Sequence, residues 1–206
     1  MIRSRPVPDE TISRLLCYLR ALLCLAEEGV QVVSSQKLAE ACRLKPSMVR
    51  KDLSYFGEYG TRGVGYAVNP LVDEIRGILK LDKTMNAALV GVGNIGRALL
   101  LYPGFAKEGF RIALAFDNDP ERIGERVNDV SIEDIAGMEE RIEAAGIRLA
   151  LVAVPVAEAP QVARRLASAG VSAILSFAPC HLNMPEDVTV TCVDLAGELA
   201  RLVYYL

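Results

Sequence analysis

Ala87-Ala88-Leu89-Val90-Gly91-Val92-Gly93-Asn94-Ile95-Gly96 decides the fold of the larger part of this chain. An apolar run enters a G-x-G-x-x-G turn, and Ile95, Leu99 and Leu100 carry a helical pattern out of it. A second apolar run, Ile112-Ala113-Leu114-Ala115-Phe116, ends at Asp117, twenty-one residues after Gly96. Strand, glycine turn, helix, strand and terminal acid in this order make a dinucleotide-binding fingerprint. Gly91 permits the tight turn, Gly93 lets backbone approach a pyrophosphate, and Gly96 lets helix and strand pack closely. Val92, Asn94 and Ile95 complete the turn and open the helix, whose first N–H groups are free for phosphates. Asp117 is placed to accept hydrogen bonds from a ribose diol and to repel a 2′-phosphate, which favours NAD+ and NADH over their phosphorylated counterparts.

Downstream, strands and helices alternate. Leu149–Val154, Ala173–Phe177 and Val188–Val193 read as strands, and Glu158–Ser168 reads as a helix ended by Gly170. Such alternation implies a parallel sheet with right-handed crossovers. Val154-Pro155 and Ala178-Pro179 follow strands whose carboxyl ends should face the ligand, so these four residues join the candidate nucleotide site. The last stretch, Asp194–Leu206, reads as a helix with Leu195, Leu199, Leu202, Val203 and Leu206 apolar. A helix this apolar needs cover on more than one side.

Upstream of the fingerprint the pattern is helical. Ile12, Leu15, Leu16, Leu19, Leu22, Leu23 and Ala26 follow the 3.6-residue period, with Asp9 as candidate cap and Gly29 beyond the end. Ser34 and Ser35 offer a cap for Gln36–Cys42, and Pro46 opens a third helix through Phe56. Tyr59-Gly60-Thr61-Arg62-Gly63-Val64-Gly65-Tyr66 then reads as a tight hairpin, and Asn69-Pro70 opens a short helix through Lys80. Three short helices and a glycine-rich hairpin are the pattern of a winged helix-turn-helix, whose third helix enters the major groove. Arg50 is a candidate for guanine and Lys51 for phosphate. Arg62 with Gly63 forms a wing tip suited to a narrow minor groove, and Ser47, Ser54 and Tyr55 can donate to phosphates.

Composition narrows the class. At 206 residues, two small domains are the natural division, and 51% hydrophobic residues suffice for two cores. The net charge of −3 gives no global basic field, yet Arg43–Lys51 holds four basic residues and no acid. Five cysteines without a C-x-x-C pair, and a first segment without an apolar signal region, point to reduced thiols in a cytoplasm. No run approaches membrane-spanning length and no spacing suggests a metal site.

Taken together these segments resemble the Rex family of redox-sensing transcriptional repressors. The match is carried by Arg50-Lys51-Asp52-Leu53-Ser54-Tyr55-Phe56-Gly57, by Tyr59–Tyr66, by the glycine fingerprint and by Tyr102-Pro103-Gly104-Phe105, Phe116-Asp117, Val154-Pro155 and Phe177-Ala178-Pro179. The resemblance implies an α/β chain with an N-terminal winged helix-turn-helix over 1–82, a Rossmann domain over 83–193 and a terminal dimerisation helix, 194–206, swapped between subunits. It implies a homodimer that binds palindromic double-stranded operator DNA when NAD+ is present and releases it when NADH binds. It also implies a two-state contact among Tyr102, Asp194 and Arg20. Leu195 departs from the family, where phenylalanine follows the aspartate, so the wall near the nicotinamide is aliphatic. The rival expectation is a small NAD-dependent oxidoreductase. It would need a proton donor at the nicotinamide, and His181, the sole histidine, lacks an evident orienting carboxylate in the sequence. No catalytic residue is therefore assigned.

Overall fold

The structure, a computed structural model, describes residues 7–206. Met1–Pro6, the start of the expected DNA-binding domain and of the segment read for a signal peptide, lies outside the described residues. The chain divides into two compact units, Met1–Lys83 and Thr84–Leu206. The second unit includes the C-terminal helix.

The first unit opens with α1 (Asp9–Glu27). Pro8 holds the cap position, and Asp9 lies inside the first turn, where it and Glu10 meet the positive end of the helix dipole. Asp9 is therefore not the cap: Pro8, with φ −63° and ψ 143°, is the last extended residue, and Asp9 is already helical. Next come β1 (Val32–Val33), α2 (Ser35–Ala41) and α3 (Pro46–Ser54). Ser34 caps α2 by accepting from the Lys37 amide at 3.1 Å. Strands β2 (Gly60–Thr61) and β3 (Gly65–Ala67) form the wing hairpin, and β1 pairs with β3 to make a three-stranded sheet. Helix α4 (Val68–Ile78) follows at once. The core joins Leu15, Tyr18, Leu19 and Leu22 of α1, Leu38 of α2, Val49 and Leu53 of α3, and Leu71 and Ile75 of α4. The two-residue β1 is too short to show a period in the sequence.

The second unit is built on a twisted sheet. Its strands are β4 (Met85–Val90), β5 (Phe110–Asp117), β6 (Arg126–Val127), β7 (Val130–Asp134), β8 (Leu149–Val152), β9 (Ala173–Ser176) and β10 (Thr189–Cys192). Their order is β10-β9-β8-β4-β5-β7-β6, parallel except for the β6–β7 pair. Chain order therefore reverses beside β4, the first strand. Alternate residues of β4 serve opposite faces. Ala88 and Val90 pack with Met138 and Ile142 of α7 (Met138–Ala145) and Val162 and Leu166 of α8 (Ala159–Ser168). Ala87 and Leu89 pack with Leu100 of α5 (Asn94–Leu100) and Phe105 of α6 (Gly104–Lys107). The period-2 side-chain alternation of a strand sandwiched between helix layers explains both cores.

The chain closes with α9 (Leu195–Val203), capped by Asp194, whose Oδ1 accepts from the Gly197 amide at 2.9 Å. None of its residues is buried, and Leu195, Leu199 and Leu202 are 57–66% exposed. Among the described residues, no helix is long and apolar enough to cross a membrane, and no cluster of His, Cys, Asp and Glu could hold a metal ion.

Candidate functional site

In an open α/β sheet, ligands settle beyond the carboxyl ends of the strands where strand order reverses. Here that place is a cleft of about 510 Å³ framed by the ends of β4, β5 and β8. The structure brings seven of the candidate nucleotide-site residues together in its lining: Gly91, Gly93, Asn94, Ile95, Asp117, Val154 and Pro155. Gly91 follows β4 with φ +88°, a conformation that side chains disfavour, and a Cβ there would lie 2.6 Å from the Ala153 carbonyl oxygen. A Cβ on Gly96 would strike the Gly91 carbonyl oxygen, so the first turn of α5 can approach β4 only because both positions are glycine.

Two fingerprint residues do other work. Val92 is buried, and its amide donates to Asp117 Oδ2 at 2.6 Å, so it points at the carboxylate rather than into the cleft. Gly96 is likewise buried beneath the turn. Ala178 is buried in the core and Pro179, though exposed, lies outside the lining of this cleft. The β9 strand ends at Ser176, one residue earlier than expected, and the Ala178 amide is turned back to Ser176 Oγ at 3.2 Å.

Asp117 is 4% exposed. Its Oδ1 accepts from the Asp119 amide at 2.9 Å, and its Oδ2 accepts from Val92 and, at 3.3 Å, from Arg122 Nη1. Burial pushes this carboxyl up, but the two amides and the Arg122 guanidinium outweigh burial and hold it below the ordinary carboxylate range. Sequence reading missed Asn118, Arg122, Ile135, Ala153 and Glu158, all of which line the cleft. The legible signal was Asp117-Asn118-Asp119-Pro120-Glu121-Arg122, an acid-rich turn carrying one cation directly after a strand.

The first unit presents a groove of about 740 Å³ between α3 and the wing. Arg50, Ser54, Arg62 and Gly63 line it. Arg50 Nη1 donates to Ser35 Oγ at 2.9 Å, which steadies the guanidinium at the groove wall. Ser54 donates to the Lys51 carbonyl at 2.7 Å, so its hydroxyl proton is spent inside the helix. Ser47, Lys51 and Tyr55 are not in this groove. They line a smaller cleft, about 240 Å³, shared with Thr11, Arg14 and Asp52. The helical repeat separates the two sets, because residues 47, 51 and 55 form one i, i+4 row and residues 50 and 54 form another.

The remaining expected residues are placed as follows. Tyr102 is 57% exposed and packs edge-on to Phe105 with ring centroids 5.2 Å apart. Arg20 is an exposed residue of α1, and Asp194 caps α9. His181 is exposed in the segment after β9, away from the lining of the nucleotide cleft.

Comparison with known proteins agrees with both halves. Residues 6–54 match the family model described as putative DNA-binding protein N-terminus, and residues 82–180 match the model described as CoA binding domain. The redox-sensing transcriptional repressor Rex of Chloroflexus aggregans is 45% identical over 206 residues, covering 100% of this chain and 97% of that protein. The Rex repressor of Streptomyces coelicolor is 45% identical over 203 residues, covering 98% of this chain and 79% of the relative. A crystal structure of RSP in complex with β-NAD+ and operator DNA superposes with a TM-score of 0.93 at 35% identity, covering 98% of this chain and 93% of the other. RSP in complex with β-NADH gives a TM-score of 0.87 at 34% identity, covering 98% and 94%. With relatives this similar over its full length, and with a wing groove and a glycine-turn cleft in one polypeptide, the chain belongs to the Rex family of redox-sensing transcriptional repressors.

Proposed function

We propose that this chain acts in the cytoplasm as a homodimer that holds palindromic operator DNA in the NAD+ state and releases it when NADH fills the glycine cleft. The observation that carries this reading is the pairing within one polypeptide of the Arg50–Arg62 groove and the Gly91–Asp117 cleft. Arg50 reads base edges from α3, Arg62 and Gly63 reach along the minor groove, and Ser47, Lys51 and Tyr55 meet backbone phosphate on the other side of the helix. NAD+ and NADH sit with their pyrophosphate over Gly93 and the start of α5.

The exposed face of α9 supports dimerisation. Burying one leucine is worth about 1.5–3 kcal/mol, and four leucines between Leu195 and Leu206 stand open in the single chain. A partner subunit that receives this helix would cover them. Two heads must then meet half-sites about 34–36 Å apart, or a multiple of that. Oxidised and reduced nicotinamide differ by one positive charge and by ring planarity. A switch needs a pocket that contacts the ring differently in two conformations. Tyr102, Asp194 and Arg20 are proposed as that two-state contact.

Fluorescence anisotropy of a labelled palindromic operator tests the reading. Affinity should be high in saturating NAD+ and fall at least about tenfold in saturating NADH, equivalent to about 1.4 kcal/mol. Equal affinity in the two states rejects the redox switch.

A further inference from the structure

Arg122 is the one cation among the described residues that line the nucleotide cleft, and Asp117 and Glu158 are its acids. Its Nη1 lies 3.3 Å from Asp117 Oδ2 and its Nε 3.3 Å from Asp119 Oδ2. The side chain is 40% exposed, and a Cβ on Gly93 would come within 4.0 Å of Nη1. The guanidinium therefore spans the space between the phosphate turn and the acid at the end of β5.

An ionised carboxylate offers about four lone-pair positions. On Asp117, the Val92 and Asp119 amides and Arg122 occupy three. A ribose diol brings two donors, so it finds one open position and gains the second only by displacing Arg122. The two amides are fixed by the backbone of the turn, whereas Arg122 is a half-exposed side chain at the longest of the three distances. Displacement falls on Arg122. Charge acts on the phosphate as well. A 2′-phosphate brings close to two negative charges at neutral pH. Asp117 alone would repel it, but Arg122 cancels that charge locally and offers a planar donor fork that suits phosphate.

We infer that Arg122 is a specificity-determining residue: it opposes Asp117 and makes the chain's preference for NADH over NADPH weaker than Asp117 alone would set it. The inference rests on the nucleotide reading of the cleft. Asp117 selects against the 2′-phosphate, Arg122 selects for it, and the balance of the two sets the ratio.

Titration of full-length protein with NADH and with NADPH, read by nicotinamide fluorescence, tests this in wild type, Arg122→Gln, Arg122→Lys, Asp117→Asn and the Asp117→Asn/Arg122→Gln double variant. Melting temperatures establish that each variant is folded. Arg122→Gln should shift the affinity ratio about tenfold toward NADH, the scale of one lost charge contact to the 2′-phosphate at a partly exposed site. Arg122→Lys, which keeps the charge, should hold the ratio within about threefold of wild type, and Asp117→Asn should shift it about tenfold toward NADPH. The double variant should return close to the wild-type ratio. The inference is overturned if Arg122→Gln moves both nucleotides equally, if Arg122→Lys behaves like Arg122→Gln, or if the gain of Asp117→Asn survives in the double variant. A wild-type protein that binds neither nucleotide rejects the reading of the cleft itself.

Discussion

Each unit of the molecule buries one aspartate, and the two are held in opposite ways. Asp52, 1% exposed, accepts four hydrogen bonds, all from side chains of α1. Thr11 Oγ1 at 3.2 Å and Arg14 Nη2 at 2.8 Å reach Oδ1, and Arg14 Nε at 2.6 Å and Tyr18 Oη at 2.8 Å reach Oδ2. With about four lone-pair positions on a carboxylate, Asp52 is full. Asp117 accepts three, two of them from backbone amides of its own site. A carboxylate saturated by neighbouring side chains ties elements together. One that is held by backbone and left a position short can meet a ligand. Asp52 thus fixes α3, the helix carrying Arg50 and Lys51, against α1. Asp117 shapes a cleft.

Removing each acceptor should separate the two roles. Asp52→Ala leaves the half-buried Arg14 guanidinium and the buried Tyr18 hydroxyl beneath α3 without their acceptor, and stranding two donors, one of them charged, costs more than the loss of about 1–3 kcal/mol expected for a single neutral group. Urea denaturation should show that loss, together with loss of operator binding. Asp117→Ala leaves the buried Val92 amide without its acceptor, at about 1–3 kcal/mol, and should leave operator binding intact while weakening NADH. If the two substitutions cost the same and both abolish operator binding, the distinction between a structural and a ligand-facing carboxylate fails.

Arg50→Ala sharpens the contrast from the surface. It should leave stability unchanged and cost about 1–3 kcal/mol in operator affinity, because Arg50 lines the groove while Asp52, two residues on, faces α1. Anisotropy titration of matched and mismatched operators reads this directly.

The smallest effect is in pH. Burial pushes the Asp52 carboxyl up, but the hydrogen bonds from Arg14, Tyr18 and Thr11 and the Arg14 charge outweigh it and hold it below its ordinary 3.8. A carboxyl with a depressed folded pKa contributes stability that is fully present above its unfolded value and is lost as pH falls through the folded one. Stability should therefore be flat from neutral pH to about 5 and fall below about 4, and Asp52→Asn should flatten that fall. Melting temperature across this range checks the slope, and an unchanged slope in Asp52→Asn would place the acid sensitivity elsewhere.

Much of this was legible along the chain. The glycine turn, the acid at the end of β5, the strands β4, β5, β8 and β9, and the helix–helix–hairpin pattern all announce themselves through local periodicity and turn chemistry. The β6–β7 hairpin and the two-residue β1 do not, because short strands carry no period of their own and are stabilised by pairing. The residues expected at DNA lie on exposed or half-buried positions of α3, its C-cap and the wing, and they fall into two clefts rather than one. Only the angular position around α3 distinguishes those rows, together with what packs beside each.

The sequence by itself determined the class of each unit, because glycine positions, strand ends and helical periods are local constraints on backbone geometry. It also marked α1 and α9 alike as apolar helices. Only the tertiary structure separated them, burying Leu15, Leu19 and Leu22 of α1 while leaving Leu195, Leu199 and Leu202 of α9 open. Tertiary structure alone also decided that Asp52 has no free oxygen lone pair and that the Val92 amide turns to the Asp117 carboxylate. The reason is physical. Periodicity records which residues must leave water, but the number of donors that converge on one carboxylate depends on elements brought together from distant parts of the chain.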